Sequence, residues 1–380
     1  MVERPSVGTS GQALHIPAKR RVLLCMGPGG VGKTTVAAAL GLAAARQGRR
    51  VIVVTIDPSL RLAQALGLDP AQGHELGSVV PVRAPGGVTL DCLMLDTQRV
   101  FDEIVRVYSR DPAAAQAMLG NPIYQATAQH LGGALEYAAT ARVHMLHAEG
   151  RYDLIVLDTP PTANALDFLD APARILELVS NPAARFLAGT GRLGLKLMGL
   201  GGGVLLKTFE AMGGGTFIAE LGGFLKEFGA VLGEFQRRAG DLAELLRSAE
   251  TGAVLATAAT DFSAREAEAF IDVIVERGMR VDGIVLNRVL PPLPPLPPAA
   301  VLRPAVSVAV GEAGAEAAIE AVGAAYHGAR VQSERAHRIW MHLRERYPAV
   351  PVALLARRDP PPAELRELVE MGAQLLDGAS

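Results

Sequence analysis

Gly27-Pro28-Gly29-Gly30-Val31-Gly32-Lys33-Thr34 is the stretch that decides the fold, and it matches G-x-x-x-x-G-K-[ST]. It stands between a short apolar run, 21–26 (RVLLCM), and an Ala/Leu-rich stretch, 34–47, that predicts a helix. Glycines suit this loop because backbone N–H groups can then turn inward on a β-phosphate with no Cβ in the way. Lys33 would place its charge between the β- and γ-phosphates, and Thr34 would offer a hydroxyl to Mg²⁺. The pattern predicts a site for a nucleoside triphosphate; the alternative is a Gly-rich turn with a chance lysine.

Apolar runs and helical patterns alternate along the rest of the chain. Strands are predicted at 50–56, 88–95, 152–157, 251–259, 281–287 and 350–355, and helices at 264–277, 311–347 and 362–376. Strands that alternate with helices indicate an α/β fold with a mainly parallel sheet wound on both faces. With the glycine-rich loop, this predicts one P-loop nucleoside triphosphatase domain over 19–376.

Four segments depart from this alternation. Residues 98–150 and 164–247 have helical patterns without strand signals, and we expect them to be insertions that form a helical subdomain on one edge of the sheet. The region 290–300 contains LPPLPPLPP, which favours polyproline II and predicts a stiff surface loop; a ligand for an SH3-like domain is the alternative. Residues 1–18 carry Pro, Gly, Ser and charges, and they predict a disordered N-terminal arm.

Composition narrows the partners and the location. The chain has 37 basic and 39 acidic residues, so its charge balance gives no electrostatic footprint for nucleic acid. Its two cysteines, Cys25 and Cys92, are not a CxxC pair, which excludes a disulfide framework and argues against zinc. The apolar stretch 197–206 is about half as long as a bilayer span requires. We therefore expect a cytoplasmic protein without zinc or a nucleic-acid partner.

Two aspartates follow predicted strands and are candidates for metal binding and catalysis. Asp158 follows the apolar run 154–157 and suits a role in holding Mg²⁺, through water; the alternative is a helix cap. Asp57 precedes Pro58, and a carboxylate there could orient or deprotonate the attacking water; the alternative is a turn aspartate. The predicted catalytic residues are Asp57 and Lys33, and the predicted metal-binding residues are Thr34, Asp57 and Asp158.

Together these motifs resemble the deviant-Walker-A ATPase family that includes the arsenite-pump ATPase and the targeting factor for tail-anchored membrane proteins. The matching segments are 29–35 (GGVGKTT), 55–58 (TIDP, switch I), 158–162 (DTPPT, switch II) and 286–289 (LNRV), which resembles the family's adenine-contacting strand end. An asparagine suits that contact because its amide offers a donor and an acceptor side by side. The resemblance implies ATP and Mg²⁺ as cofactors, with nucleotide contacts from Gly27, Gly29, Gly30, Val31, Gly32, Lys33, Thr34, Thr35, Asn287 and Arg288.

Two features depart from the family pattern. Pro28 stands where the group has a signature lysine, which in relatives reaches across a dimer interface to the partner's nucleotide. The family's CxxC zinc pair and the pump's metalloid cysteines are also missing. The chain therefore resembles one half of the arsenite-pump ATPase without its arsenite site.

The second helical insertion contains a candidate client-binding region. Apolar residues recur there at intervals of three and four, as on one helix face: Phe217, Leu221, Phe224, Phe228, Leu232, Phe235, Leu242 and Leu246. The preceding segment, 189–215, is apolar but too rich in glycine for a packed helix. In the targeting factors the matching region closes over an apolar client helix. We expect a mobile flap for an apolar client; the alternatives are subdomain core for the stripe and a plain disordered loop for 189–215.

Three functions fit these expectations. The first is a homodimeric or heterodimeric ATPase whose nucleotide state opens and closes the helical subdomain around an apolar client, such as a tail-anchored membrane protein segment. The second is the energising ATPase subunit of an anion transporter. The third is a weakly hydrolysing, nucleotide-bound partner in a heterodimer. Turnover separates the third function from the other two.

Overall fold

A single eight-stranded sheet organises the part of the chain that the computed structural model describes, residues 11–56, 66, 76–122, 124–125, 134–159, 237, 240–362 and 364–377. The strands are β1 (Val22–Met26), β2 (Val51–Thr55), β3 (Val79–Arg83), β4 (Thr89–Met94), β5 (Leu154–Asp158), β6 (Thr251–Ala258), β7 (Val281–Val289) and β8 (Val352–Ala356). Their order is β3-β4-β2-β5-β1-β6-β7-β8, and every pairing is parallel except that of β3 with β4. The predicted α/β fold with a mainly parallel sheet is confirmed.

Helices cover both faces of this sheet. They are α1 (Lys33–Arg46), α2 (Thr97–Tyr108), α3 (Pro112–Leu119), α4 (Ala134–Glu149), α5 (Asp261–Glu276), α6 (Ala299–Val310), α7 (Glu312–Arg346) and α8 (Leu365–Asp377). Successive strand residues point to opposite faces. Leu24 and Met26 of β1 therefore pack in one apolar layer with α2, α3, α4, α5 and α7, whereas Leu23 and Cys25 pack in the other with α1 and α8. The double winding explains why β1 is apolar throughout.

Strand β3 was not predicted, and its position at the sheet edge explains why. Its sequence, VVPVR, includes Pro81, and only Val82 is buried. Proline cannot donate a ladder hydrogen bond and is tolerated in edge strands. The strand has three valines, but its proline and its short length argue against a strand when the sequence is read alone.

Helix α6 also differs from the prediction, because it begins at Ala299, inside the loop predicted over 290–300. It contains Pro304, a residue that disfavours a helix interior. Helix α6 packs against α7. Helix α7 also holds the Pro-rich segment, since the Tyr326 hydroxyl donates to the Pro294 carbonyl oxygen over 2.9 Å and the Ser333 hydroxyl to that of Pro291 over 3.1 Å.

The described part of the N-terminal arm lies against the body of the domain. The backbone N–H of Gln12 donates to the Val352 carbonyl oxygen, at 3.2 Å, and that of Leu14 to the Leu375 carbonyl oxygen, at 2.7 Å. The Leu14 side chain is only 3% exposed. This differs from the disordered arm predicted over 1–18, because edge strand β8 and helix α8 offer the arm backbone and apolar partners. Residues 1–10 lie outside the described part.

The described helices of the first predicted insertion, 98–150, lie on a face of the sheet, whereas we expected a subdomain at its edge. Phe101 of α2 stacks on Tyr137 of α4 with ring centroids 5.9 Å apart, and both belong to the apolar layer that contains Leu24. Of the second insertion, 164–247, only residue 237 and the helical residues 240–247 are described. Leu242 and Leu246 of the predicted apolar stripe are buried there. No helix among the described residues is long and apolar enough to cross a bilayer.

Candidate functional site

The loop between β1 and α1 has a backbone that only glycines adopt easily. Gly27, Gly30 and Gly32 have φ angles of 138°, 74° and 91°, in the region that L-residues rarely occupy. A Cβ on Gly27 would lie 2.0 Å from the Ala256 carbonyl oxygen, and one on Gly32 would lie 2.5 Å from Asn287 Nδ2. The loop therefore requires glycine at two positions for space as well as for φ.

Helix α1 begins directly after this loop, at Lys33. Its N-cap residue is Gly32, which has no side chain to cap the helix, and its first turn contains no acidic residue. The first N–H groups of an α-helix lack partners within the helix, and they carry the positive end of its dipole. This arrangement suits an anion at the end of the loop.

The Lys33 side chain bends back over the loop and is only 7% exposed. Its ammonium donates to the carbonyl oxygens of Gly27, over 3.0 Å, and Pro28, over 2.9 Å. An ammonium has three donors and a point charge, so the same group can reach phosphate oxygens placed in the loop. The structure thus brings the predicted lysine to the mouth of the loop.

The Asp158 carboxylate, at the end of β5, joins three elements of the site. Its Oδ2 accepts hydrogen bonds from Thr34 Oγ1 over 2.8 Å and Thr55 Oγ1 over 3.1 Å, and the residue is 1% exposed. These groups meet because β5 lies between β1 and β2, so that their carboxyl ends share one edge of the sheet. Thr55 belongs to the segment 55–58 that resembles switch I, but no role in the site was predicted for its side chain.

The donor set at Asp158 has the chemistry that Mg²⁺ prefers. Hydroxyl and carboxylate oxygens are suitable ligands for this ion, which usually keeps several waters and shares substrate phosphates. Thr34 lies in the first turn of α1, next to the phosphate loop, and its hydroxyl touches the carboxylate. The residues present therefore fit Mg²⁺, and Thr34 and Asp158 are the side chains that would hold it.

Asn287, near the end of β7, contacts the loop from the other side. Its Nδ2 donates to the Val31 carbonyl oxygen over 2.8 Å, and its Oδ1 accepts from the backbone N–H of Arg288 over 2.9 Å. Asn287 is 5% exposed, whereas the side chain of Arg288 is exposed. Arg288 has a φ of 58°, which is uncommon for a residue other than glycine. The predicted base-contacting amide is thus placed on backbone groups.

Comparisons with known proteins agree with this geometry. Residues 20–294 match the family described as anion-transporting ATPase. The chain belongs to the anion-transporting ATPase family. It is 27% identical over 274 residues to "ATPase GET3" of Malassezia globosa, an alignment that covers 72% of this chain and 73% of that protein.

Other relatives of this family member align over shorter stretches. "Putative arsenical pump-driving ATPase 1" of Aquifex aeolicus is 29% identical over 156 residues, 40% of this chain and 38% of that protein. "Uncharacterized protein SCO2128" of Streptomyces coelicolor is 36% identical over 164 residues, 41% of this chain and 38% of that protein. The chain thus spans about two fifths of the length of these two relatives.

A cavity of about 480 Å³ opens beside the phosphate loop of this family member. Its lining comprises Gly32, Thr35, Asn287, Arg288, Ala356, Arg357, Arg358, Asp359, Pro361, Pro362 and Met371. The residues after β8 were not predicted to belong to the site, although a charged segment directly after a strand was the available signal. Their position follows from the pairing of β8 with β7, which brings the two strand ends together.

Both cysteines of this ATPase-family chain are buried. Burial, together with the nearby Asp158 carboxylate, raises the pKa of the Cys25 thiol far above its usual range. Burial raises the pKa of Cys92 to about 12, and Asp91 adds to the shift. Because the thiolate is the form that binds soft metals and metalloids, neither cysteine is suited to that role.

Several predicted residues lie outside the described part of the chain. They include Asp57, Pro58 and the switch II residues 160–162. The catalytic and metal-binding roles of Asp57 therefore stay predictions, and so does the base contact by Asn287 and Arg288.

Proposed function

We infer that this chain binds ATP with Mg²⁺ at residues 27–34 and hydrolyses its terminal phosphate. The observation that carries the proposal is the convergence of Lys33 and the Thr34–Asp158 hydrogen bond on a loop in which three glycines adopt positive φ. Family membership supports the same reaction, because the family is described as anion-transporting ATPase.

Each side chain has a separate task in the proposed reaction. Loop N–H groups and Lys33 hold the phosphates and stabilise the charge that develops during transfer. Thr34 and, through water, Asp158 would hold Mg²⁺, and the bound ion would neutralise negative charge on the phosphate oxygens. Asp57 orients the attacking water.

The cavity beside Gly32 and Thr35 provides room for the nucleoside. It adjoins the loop, so a nucleotide with its phosphates in the loop can reach it. Arg288 and Arg357 line the cavity, and planar guanidinium groups can stack on a base. The loop and the cavity together fit a whole nucleotide rather than a free phosphate.

The proposed reaction is tested by separating binding from turnover. Asp57→Asn should bind ATP with Mg²⁺ as the unmodified chain does, measured by titration calorimetry, but release phosphate much more slowly. Asp241→Asn provides a matched control, since Asp241 forms an ion pair with Arg237 and both side chains are exposed. Unchanged phosphate release by Asp57→Asn would refute the role of Asp57. Failure of the unmodified chain to bind ATP would refute the proposed function itself.

We further propose that the chain forms a homodimer, or a heterodimer with a related ATPase. We also propose that ATP binding controls its affinity for an apolar client. Support comes from the family resemblance and from the long alignment with "ATPase GET3". The segments that would bind the client, 189–215 and 217–235, lie outside the described residues. Light scattering with and without ATP and Mg²⁺ tests the dimer. Replacement of Met198, Leu205, Leu206 and Met212 by Ser should weaken capture of an apolar peptide but leave ATP binding unchanged.

The second candidate is an energising subunit of an anion transporter. It is favoured by the relative named "Putative arsenical pump-driving ATPase 1". The burial of Cys25 and Cys92 argues against arsenite as a ligand of this chain. Co-purification with an integral membrane protein, in an ATP-dependent manner, would support this candidate over the client-binding one.

A further inference from the structure

Asn287 connects two distant parts of the chain through an amide whose orientation is determined by its contacts. Its Nδ2 donates to Val31 across 256 positions of sequence, and its Oδ1 accepts from the N–H of the next residue. A carbonyl oxygen can meet only the NH₂ group of the amide, and a backbone N–H only its oxygen. Both contacts therefore require the same amide orientation.

The contact with Val31 controls the direction of a backbone N–H in the phosphate loop. The peptide between Val31 and Gly32 is planar and trans, so its C=O and N–H point in opposite directions. Since Asn287 holds the Val31 oxygen towards β7, the Gly32 N–H points away from β7. That side of the peptide is the one available to a phosphate in the loop.

The Asn287 amide also packs against the same peptide. A Cβ on Gly32 would lie 2.5 Å from Nδ2, so the asparagine occupies the space beside the bare Cα of that glycine. Val31 lies between Gly30 and Gly32, and both glycines have positive φ. Glycine adopts positive and negative φ about equally readily, so its own conformational preference does not fix this backbone. The side-chain amide thus restrains the part of the loop with the greatest backbone freedom.

We propose that Asn287 is a positioning residue that orients the Gly32 N–H for phosphate binding. This proposal rests on the proposed function. The amide has one N–H and one oxygen lone pair beyond its two backbone contacts, and the residue is 5% exposed.

The test compares a ligand without a base to ATP. Asn287→Asp keeps the shape of the side chain and the contact with the Arg288 N–H, but it cannot donate to Val31. We expect the affinities for inorganic tripolyphosphate and for ATP, both with Mg²⁺, to fall by a similar factor of about ten or more. Asn121→Asp is the matched control, because Asn121 uses its Oδ1 to accept from the Tyr124 N–H, a contact that a carboxylate keeps.

A second measurement needs no ligand. Hydrogen–deuterium exchange in a peptide spanning 27–34 should become faster in Asn287→Asp and stay unchanged in Asn121→Asp. Asn287→Ala, which removes the donor without burying a charge, should give the same direction of change if the Asp variant does not fold.

Two results would overturn the proposal: a loss of ATP affinity with unchanged tripolyphosphate affinity, which would indicate a base contact, or unchanged exchange in the loop. If the unmodified chain binds neither ATP nor tripolyphosphate, the proposed function fails, and loop exchange alone decides the role of Asn287.

Discussion

The two ends of the parallel strands use charge in different ways. At the amino ends, Arg20 donates through two nitrogens to the Asp282 carboxylate, at 2.6 Å each, and the two side chains are 5% and 8% exposed. At the carboxyl ends, the Lys33 ammonium donates to carbonyl oxygens of its own loop. The first arrangement neutralises a buried charge with a side chain of the same protein, so it requires no bound ligand. The second places a cation where a ligand can reach it.

A further contrast lies in the backbone. At the amino ends, Arg49 donates to the carbonyl oxygens of Arg20 and Asp153. These hydrogen bonds connect the residues that precede β1 and β5. At the carboxyl ends, the loop adopts positive φ at three glycines. We call the side of the sheet at the amino ends of the strands the amino edge and the side at their carboxyl ends the carboxyl edge. We infer that the amino edge stabilises the fold and that the carboxyl edge binds the ligand. Substitutions at the two should therefore have separable effects.

The largest effect is expected at the amino edge. Asp282→Asn leaves Arg20 buried without its countercharge, and breaking a buried pair in this way costs about 3–5 kcal/mol. Denaturant unfolding should show this loss of stability, while ATP affinity of the folded fraction stays unchanged. A normal unfolding free energy, or a specific loss of ATP binding, would contradict the division between the two edges.

Lys33→Ala should show the opposite behaviour. The substitution removes the charge between the β- and γ-phosphates, and we expect ATP affinity to fall by about 100-fold or more, since hydrogen bonds to charged groups are among the strongest. The melting temperature without ligand should change little. Calorimetric titration and thermal unfolding of the same sample check both statements; retained affinity would place the phosphates elsewhere.

Pro28→Lys tests whether the carboxyl edge lacks a cation that would speed hydrolysis. A cation delivered across a dimer interface to a transferring phosphate can raise the rate by about 10³ or more, and proline cannot supply one. The substitution should raise phosphate release at least about tenfold if the chain forms homodimers that lack this cation. Fast release by the unmodified chain with no gain from Pro28→Lys would mean that another group already supplies the charge.

The smallest effect is expected for Asp153, on the surface of the amino edge. Hydrogen bonds from Arg50 lower the pKa of Asp153 from its usual 3.8 to about 2. A lowered folded-state pKa stabilises the fold above the unfolded-state value, and this contribution is lost as pH falls from about 4 to about 2. Because the pair is exposed to solvent, its contribution to stability is small. Asp153→Asn should flatten the pH dependence of unfolding in that range; an unchanged profile would remove Asp153 from the account.

The central strands could be predicted from sequence because burial on both faces leaves a continuous apolar run. Strand β1, with five residues of 0% exposure, is the clearest case. Elements at the periphery could not be predicted in this way. Strand β3 buries one side chain, and α6 buries none and contains Pro304. Their positions depend on neighbours in space rather than on a local pattern.

The site residues also fall into those that a local motif predicts and those that depend on neighbours in space. Lys33, Thr34 and Asp158 could be predicted because each belongs to a local motif with a chemical reason. The contact between Asn287 and Val31 depends on β7 lying two strands from β1, which no local pattern reveals. The same holds for Arg357 and Asp359, which line the cavity after β8. Distant segments therefore complete a site that one short motif begins.

The central claim, that the carboxyl edge binds ATP with a metal at Thr34, is tested most directly by a crystal structure with a non-hydrolysable ATP analogue and Mn²⁺ in place of Mg²⁺. Anomalous scattering locates Mn²⁺ independently of the protein. We expect Mn²⁺ at about 2 Å from Thr34 Oγ1. We also expect the phosphates within the loop 27–34 and the base in the cavity beside Asn287. Nucleotide or Mn²⁺ bound away from this loop, with the loop itself unchanged, would contradict the account.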